Sequence, residues 1–367
     1  MTERSGLTRS TWRDPYALNI GILAPPWLPV PPSAHGSTET VIDTLARGLE
    51  AAGHHVVLFT TGDATCPVRR EWCFAKSLGG RSSATGAEAR QVIEGYDALR
   101  AVDIIHDHTL FGPLYGRVSD GPPSVTTNHG PFDEDLTPVY RAVAERVPII
   151  AVSHHQARSA NGIPIARVIH HGLETDTIPL GDGQGGYALF LGSMHPDKGV
   201  DTALSVARAA GIPLRIAAHI DDPLGREYFE TQIKPRLGRH AEYLGEVSAA
   251  EKFDLLGSAQ CLLNPVRWPD PFDVVMLEAL ACGTPVVTTP YGSAAEIVED
   301  GVTGFIARDS ENLVRAVSRV PTIERTRCRA AAQTRFPAAR MVANHVALYR
   351  HVLSSAASQQ RTVSHHG

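Results

Sequence analysis

The feature that most constrains the fold of this chain is a strand–loop–helix–strand pattern in its second half. An apolar run, Cys261–Leu263, precedes a polar, proline-broken loop, Pro265–Phe272. The apolar segment Val274–Ala281 then predicts a helix that a Cys-Gly-Thr-Pro sequence ends. The β-branched run to Thr288 predicts a second strand. This order is typical of a βαβ unit, in which ligands bind outside the carboxyl ends of the strands.

Two carboxylates flank the start of the predicted helix. Asp270 precedes the helix and Glu278 lies within it, eight residues later. The N-terminus of a helix presents free N–H groups and a partial positive charge. The loop and the helix start therefore predict a site for an anion.

These residues resemble the nucleotide-sugar motif of family-four glycosyltransferases, which are retaining enzymes. The similar parts are Asp-Pro-Phe at 270–272, the block Glu-Ala-Leu-Ala-Cys-Gly-Thr-Pro-Val-Val from Glu278, and Gly-Ser-x-x-Glu at 292–296. The resemblance covers roughly residues 18–320. It implies an α/β chain of GT-B fold, with two Rossmann-like domains facing each other across a cleft. It also implies sugar transfer from a nucleotide-diphosphate donor.

The first half of the chain opens with another strand, loop, helix and strand. The strand at 19–24 leads into a proline-rich loop, and the apolar face of the following helix predicts burial against a sheet. The sequence Pro-Pro-x-x-His-Gly-Ser-Thr-Glu resembles the Tyr-Gly-Gly-Thr-Glu loop of a subgroup of the family. The resemblance implies that Gly36 and Ser37 approach the donor, with Ser37 in place of a second glycine. The alternative is a loop that only joins strand to helix.

Histidines follow two strands of this half. His106 and His108 form an HxH sequence, which suggests a metal site, but no third ligand has recognisable spacing. A hydrogen-bonded pair at a strand end is the preferred interpretation. His129 follows the predicted strand at 124–127, and the resemblance implies that it faces the donor sugar. The alternative is a histidine that only holds its loop.

The second half begins with Gly192-Ser193 and, further on, Lys198-Gly199. The family has Gly-Arg-x-x-x-x-Lys-Gly here, with the two cations on the donor diphosphate. The resemblance implies that role for Lys198, against the alternative of an exposed lysine. Ser193 replaces the arginine, so one positive charge is missing. Asp273 adds a negative charge where the family has glycine. Three outcomes stay open: its side chain turns away, Arg267 supplies the missing cation, or the protein binds diphosphates weakly. A mixture of the first two is preferred.

The resemblance implies that Glu278 binds the ribose and that Asp270, where the family prefers Glu, holds the sugar hydroxyls. Catalytic roles are predicted for His129, Lys198 and Asp270. Donor or nucleotide contacts are predicted for Gly36, Ser37, Gly192, Ser193, Lys198, Gly245, Val247, Arg267, Phe272, Asp273, Val274, Val275 and Glu278. The nucleotide sugar, UDP- or GDP-linked, is a co-substrate; no cofactor and no metal are predicted.

The domain boundaries follow from composition and pattern. Residues 62–90 lack a clear period and predict an excursion from the first sheet. Gly181, Gly183 and Gly186 match GxGxxG but precede a strand, which favours a flexible linker over a dinucleotide site. The predicted units are a disordered lead-in at 1–17, an acceptor domain at 18–174, a linker at 175–186, a donor domain at 187–336, a helix crossing back at 337–354 and a disordered tail at 355–367.

Composition bounds the remaining possibilities. A chain of 367 residues suffices for two domains, and a net charge of -5 gives no reason to expect nucleic acid. No run of 18 apolar residues predicts a membrane span, and five cysteines without CxxC pairs favour a reducing cytoplasm. The acceptor and the oligomeric state stay open. So do two alternatives: a non-catalytic or weakly active nucleotide or sugar binder, and another GT-B enzyme such as a phosphorylase or epimerase.

Overall fold

Each half of the chain forms a fully parallel sheet with helices packed on it. The computed structural model describes residues 16–79 and 85–364, so nearly all of the predicted lead-in lies outside the described residues. Parallel sheets covered on both faces need strands that are apolar on both faces. The central strands meet this need, since Ile20, Ile22 and Leu23 of β1 and Leu262 and Leu263 of β11 are fully buried.

The first sheet has seven strands in the order β3-β2-β1-β4-β5-β6-β7. Its strands are β1 (Asn19–Leu23), β2 (His55–Thr61), β3 (Arg69–Phe74), β4 (Ile104–Asp107), β5 (Ser124–Thr127), β6 (Ile149–Ala151) and β7 (Ile165–Val168). The helices between them are α1 (Ser37–Ala51), α2 (Thr85–Ala98), α3 (Gly112–Val118), α4 (Leu136–Val143) and α5 (His154–Arg158). These elements form the first domain.

The second sheet has six strands in the order β10-β9-β8-β11-β12-β13. Its strands are β8 (Ala188–Ser193), β9 (Leu214–His219), β10 (Ala241–Gly245), β11 (Cys261–Asn264), β12 (Val286–Thr288) and β13 (Gly304–Ile306). Its helices are α6 (Val200–Ala210), α7 (Pro223–Tyr228), α8 (Ala249–Ser258), α9 (Val274–Ala281), α10 (Ala294–Ile297), α11 (Ser310–Arg319) and α12 (Arg325–Arg335). These elements form the second domain.

In both sheets the strand order reverses at the first strand, so that the later strands add on its other side. Counted within each domain, the first six strands follow the order 3-2-1-4-5-6, which is the doubly wound Rossmann order. The predicted α/β fold of two Rossmann-like domains is confirmed.

The chain crosses between the domains at two adjacent places. The Leu173 amide donates to the Phe336 carbonyl oxygen (3.0 Å), and the Ala338 amide donates to the Leu173 carbonyl oxygen (3.1 Å). Helix α13 (Ala338–Ser364) then returns to the first domain, where the Tyr349 hydroxyl bonds the Nδ1 atom of His106 at 2.7 Å. The predicted return crossing is therefore present.

Three expectations about connecting segments are corrected. Helix α13 runs ten residues beyond Ser354 to Ser364, because the segment holds Ala, Gln and Arg and no Gly or Pro to break it. Residues 365–367 lie outside the described part. Strand β3 lies within the segment predicted to be an excursion from the first sheet, but it pairs with β2 and belongs to that sheet despite its polar sequence RREWCF.

The predicted flexible linker is fastened to the second domain. The Gly181 and Gly183 amides donate to the Cys282 and Gly257 carbonyl oxygens, both at 3.0 Å. The Arg325 guanidinium donates to the Gly181 and Gly257 carbonyl oxygens as well. This segment belongs to the second domain, and the chain passes between the domains at Leu173 and Phe336. Within the described residues, no helix combines the length and the apolar character that a bilayer crossing demands.

Candidate functional site

A cavity of about 330 Å³ lies between the carboxyl ends of the two sheets. The first domain contributes the loop after β1 and the loop after β5, and the second domain contributes loops after β8, β9, β10 and β11. The predicted residues that line it are Gly36, Ser37, His129, Gly192, Ser193, Lys198, Val247, Asp270, Phe272, Asp273, Val274, Val275 and Glu278.

A lysine–carboxylate pair forms the centre of this cavity. Lys198 Nζ lies 2.6 Å from Asp270 Oδ2, and both side chains are largely buried. Burial alone lowers the pKa of Lys198, but the nearby carboxylates of Asp270 and Asp273 outweigh it and raise the pKa above its ordinary value. The lysine therefore stays cationic, and the alternative of an exposed surface lysine is wrong.

Backbone packing fixes the loops that carry this pair. Gly199, with φ of 73°, follows Lys198, and a Cβ atom there would lie 2.2 Å from the Pro265 carbonyl oxygen. Gly292, with φ of 59°, packs in the same way against the backbone of Asp270. Side chains at these two glycines would push the loops apart, so the two sequence motifs are joined by close contact of their backbones.

A second pair lies at the far side of the cavity. Lys252 Nζ of α8 contacts Glu278 Oε1 of α9 at 2.5 Å, and only 4% of the Glu278 side chain is exposed. No sequence pattern predicted a role for Lys252, because its contact with Glu278 is created by the packing of α8 on α9. Each predicted acid of the motif therefore has a lysine partner before any ligand binds.

Asp273 is the N-cap of α9. Its Oδ1 atom accepts from the Val275 amide at 3.0 Å, and its Oδ2 atom accepts from Asn264 Nδ2 at 2.7 Å. The side chain is buried and does not turn away, so that expectation is wrong. It occupies an N–H group that the predicted anion site needs.

Arg267 lies outside the cavity. Its guanidinium pairs with Asp201 Oδ2 at 2.6 Å and contacts the Thr202 hydroxyl. The prediction that Arg267 supplies the missing charge is therefore wrong for this geometry. Gly245 also does not line the cavity; its φ of 76° turns the chain so that Val247 does.

On the first domain, His129 belongs to a row of buried imidazoles. Its Nε2 atom lies 2.9 Å from His108 Nδ1, and its ring stacks on His171 with centroids 5.3 Å apart. Burial, with a further contribution from His345, lowers the pKa of His129 to about 4. His129 therefore presents a neutral ring to the cavity at pH 7.

The HxH sequence belongs to the same row. His106 bonds Tyr349 through Nδ1 and the Thr127 hydroxyl through Nε2, at 2.7 and 2.8 Å. Burial lowers the pKa values of His106 and His108 well below their ordinary range. His106 is a fully hydrogen-bonded core histidine, as preferred, whereas His108 Nε2 is buried and has no protein partner among the described residues.

Four titratable residues of the cavity were missed by the sequence analysis: His35, His219, Glu246 and Lys252. His35 Nδ1 contacts Glu246 Oε1 across the two domains. Opposite, Glu296 Oε1 and Oε2 accept from the His155 and His154 amides at 2.6 and 2.8 Å. These contacts join the domains, and only proximity in the folded chain reveals them.

Two family models match the chain, one for each domain. A model described as Glycosyltransferase Family 4 matches residues 38–177, and one described as Glycosyl transferases group 1 matches residues 185–322. An uncharacterized glycosyltransferase from Methanocaldococcus jannaschii is 30% identical over 142 residues, 39% of this chain and 39% of that protein. A phosphatidyl-myo-inositol mannosyltransferase from Mycobacterium tuberculosis is 24% identical over 330 residues, 79% of this chain and 82% of that protein.

Solved structures share the fold over nearly the whole chain. A glycosyltransferase involved in avilamycin A biosynthesis has a TM-score of 0.70 at 24% identity, over 92% of this chain and 98% of that chain. An Anabaena protein in complex with UDP and glucose has a TM-score of 0.73 at 17% identity, over 90% of this chain and 99% of that chain. At these identities the likeness is one of fold.

Proposed function

Because the chain belongs to the GT-B glycosyltransferases that these two family models describe, we propose that it moves a sugar from a nucleotide-diphosphate donor to an acceptor hydroxyl with retention of configuration. The observation that carries this proposal is the cavity itself. It brings the Lys198–Asp270 pair and Glu278 from one domain against His129 from the other.

The roles follow from charge and position. Lys198 is a largely buried cation that contacts Asp270, the residue proposed to hold the sugar. From this position it neutralises the leaving diphosphate. Helix α9 contributes less than its N-terminus suggests, because Asp273 already takes the Val275 amide. Removing one preorganised donor of this kind typically costs about 3–4 kcal/mol of transition-state stabilisation.

The remaining residues orient the donor. Glu278 binds the ribose hydroxyls after exchanging its contact with Lys252, and Asp270 holds hydroxyls of the sugar. His129, as a neutral imidazole, positions the sugar from the opposite wall. The loop of Gly36 and Ser37 and the turn of Val247 close around the diphosphate and the base.

The transfer itself needs no bound metal and no protein base. The bond from the anomeric carbon to the phosphate oxygen breaks, and the acceptor oxygen bonds that carbon on the same face. The acceptor proton passes to the leaving phosphate oxygen. The first donors to test are UDP- and GDP-sugars; the Anabaena protein of the same fold binds UDP. A reducing cytoplasm is the proposed compartment, because all five cysteines are free thiols.

One observation favours a second candidate, a weakly active binder. Asp273 places a buried carboxylate beside Lys198, and Ser193 supplies no compensating cation. The negative charge of the Asp273 carboxylate repels the negative charge of a diphosphate and so disfavours its binding.

A single assay separates the two functions. Each nucleotide sugar is incubated with the full chain and a chelator, and released nucleoside diphosphate and the anomer of the freed or transferred sugar are followed by NMR. Release with the donor's own anomer supports a retaining transferase. Saturable binding without release over many hours supports the binder, and the inverted anomer contradicts retention.

A further inference from the structure

Three metal-ligating side chains meet where the first and second domains touch. His35 comes from the loop between β1 and α1, and His219 and Asp221 lie at the carboxyl end of β9. The ligand atoms of the three all lie within 4.8 Å of one another. We propose that this cluster binds one divalent zinc-type ion, which joins the two domains at the rim of the cavity.

One of the two distances to Asp221 fits a pair of ligands around an ion better than a hydrogen bond. His35 Nε2 lies 3.7 Å from Asp221 Oδ1, which is too long for a hydrogen bond. Two ligand atoms on a tetrahedral zinc ion are about 3.3 Å apart, since each lies about 2.0–2.1 Å from the metal. His219 Nε2 approaches the other oxygen of the same carboxylate at 2.9 Å. A small inward movement brings two nitrogens and one oxygen around a common centre.

The outer contact of His35 has the form that metal sites use. Its Nδ1 atom faces Glu246 Oε1, so a proton on Nδ1 is shared with the carboxylate and the lone pair of Nε2 is free. Ligating histidines almost always donate their second N–H to a carboxylate or carbonyl in this way. Glu246 therefore sets the tautomer in which His35 can bind a metal.

The two imidazoles stack face to face, with centroids 3.9 Å apart and planes 12° apart. The lone pair of an imidazole nitrogen lies in the plane of the ring, so both rings turn from this stacked arrangement to bind one shared ion. His219 Nε2 contacts Asp221 Oδ2 at 2.9 Å, and His35 Nδ1 contacts Glu246 Oε1. Asp221 can therefore act as an anionic ligand of the ion, and Glu246 can hold the ligand His35 in place.

A second histidine cluster, His154, His170 and Glu296, lacks a carboxylate that is free to bind a metal ion. Glu296 lies near His154 and His170, but its oxygens already accept from two backbone amides and from His170 Nε2 at 2.7 Å. Burial raises the pKa of Glu296, and these hydrogen bonds outweigh it and lower it to about 2. This carboxylate is fully engaged, so the cluster holds the domains by hydrogen bonds alone.

The consequence of the proposal is a metal-dependent closure. His35 belongs to one domain and the other two ligands to the second, so only the closed arrangement offers the complete site. An ion that binds one arrangement and not the other shifts the equilibrium toward it. The inference is independent of the donor, because no step of the proposed transfer passes through this ion.

The test uses the full chain with Co²⁺ as a spectroscopic probe and Zn²⁺ as its competitor. Since His365 and His366 near the chain end can also bind metal, both are first changed to alanine in every sample. We expect one Co²⁺ per chain with intense tetrahedral absorption, displaced by Zn²⁺. We also expect Zn²⁺ to raise the melting temperature and to make the scattering profile more compact.

Variants decide where the ion lies. His35→Gln and His219→Gln should each abolish the absorption and the compaction, and Glu246→Gln should weaken binding about 10–100-fold. The exposed His240→Gln is the matched control and should behave as the parent. Binding that survives in either His35→Gln or His219→Gln overturns the interdomain site, as does the absence of a tetrahedral spectrum in the parent. Circular dichroism of each variant excludes loss through unfolding, and Asp221→Asn serves as a replacement if one misfolds.

Discussion

Across the cleft, the wall built by the second domain carries paired charges, whereas the wall built by the first carries neutral imidazoles. Lys198 and Lys252 each contact a carboxylate, Asp270 and Glu278. On the other wall, burial holds the pKa of His129 at about 4 and that of His171 well below its usual range. In the proposed function this difference separates two tasks: the charged wall exchanges its own ion pairs for a charged donor, and the neutral wall orients an uncharged sugar.

The largest expected effect comes from removing the central cation of the charged wall. Lys198→Ala should lower kcat about 10²–10³-fold, because a preorganised charge on the leaving diphosphate is lost. It also leaves Asp270 and Asp273 without a counter-charge. Steady-state kinetics with donor and acceptor measure this. Lys234→Ala, which removes an exposed lysine paired with Glu230, is the control. A loss below tenfold in Lys198→Ala contradicts the role.

The neutral wall should affect turnover and not nucleotide affinity. His129→Ala should lower kcat on the order of 100-fold through misplacement of the sugar. The Kd of the bare nucleotide should hardly move, because the residues proposed to hold the nucleotide lie in the second domain, apart from the loop of Gly36 and Ser37. Calorimetry and kinetics on the same sample give both quantities, and the exposed His55→Ala is the control. Loss of nucleotide binding in His129→Ala means that the walls do not divide the tasks.

Lowering the pH should lower the free energy of unfolding, because the histidines of the neutral wall then take up protons on unfolding. The pKa of His129 is lowered in the folded chain, to about 4, so its contribution to stability is complete above the unfolded value near 6.5 and is lost as pH falls toward 4. By pH 5 this one group should cost about 2 kcal/mol. Urea unfolding at pH 7, 6 and 5 measures the slope. The slope should be smaller in His129→Gln, and an equal slope in both proteins places the acid sensitivity elsewhere.

A smaller effect is expected from the ribose carboxylate. Glu278→Ala should weaken nucleotide binding by about tenfold, close to 1.4 kcal/mol. The effect is moderated because the parent must first give up the Lys252 contact. Calorimetric titration with free nucleotide measures it, and Glu230→Ala on the surface is the control. Unchanged affinity removes Glu278 from the site.

The smallest effects should come from restoring the charges that the phosphate site lacks. Asp273→Gly frees the Val275 amide and removes a buried carboxylate, and Ser193→Arg adds a cation at the end of β8. Each should tighten nucleoside diphosphate binding a few-fold, with a gain that shrinks as salt rises. Asp273→Gly should also lower stability by a few tenths of a kcal/mol through the lost cap. Weaker binding in both variants means that Ser193 and Asp273 suit this protein's own donor.

Many residues of the cavity were predicted from the sequence alone. The acids Asp270 and Glu278, the lysine at 198 and the histidine at 129 all line one cavity, because short motifs at strand ends of doubly wound sheets converge there. The prediction for Arg267 was wrong because its guanidinium pairs with Asp201 on α6, 66 residues earlier in the chain. Sequence distance gave no sign of that partner.

The sequence by itself determined the two βαβ domains, their strand ends and the acids of the motif, because periodicity and turn residues act over a few positions. Tertiary structure alone decided which charges meet. The pairing of Lys252 with Glu278, and the approach of His35 to Glu246 and Asp221, join residues from distant segments. Burial in the folded chain also lowered the pKa of His129 to about 4, because desolvation disfavours the charged imidazolium.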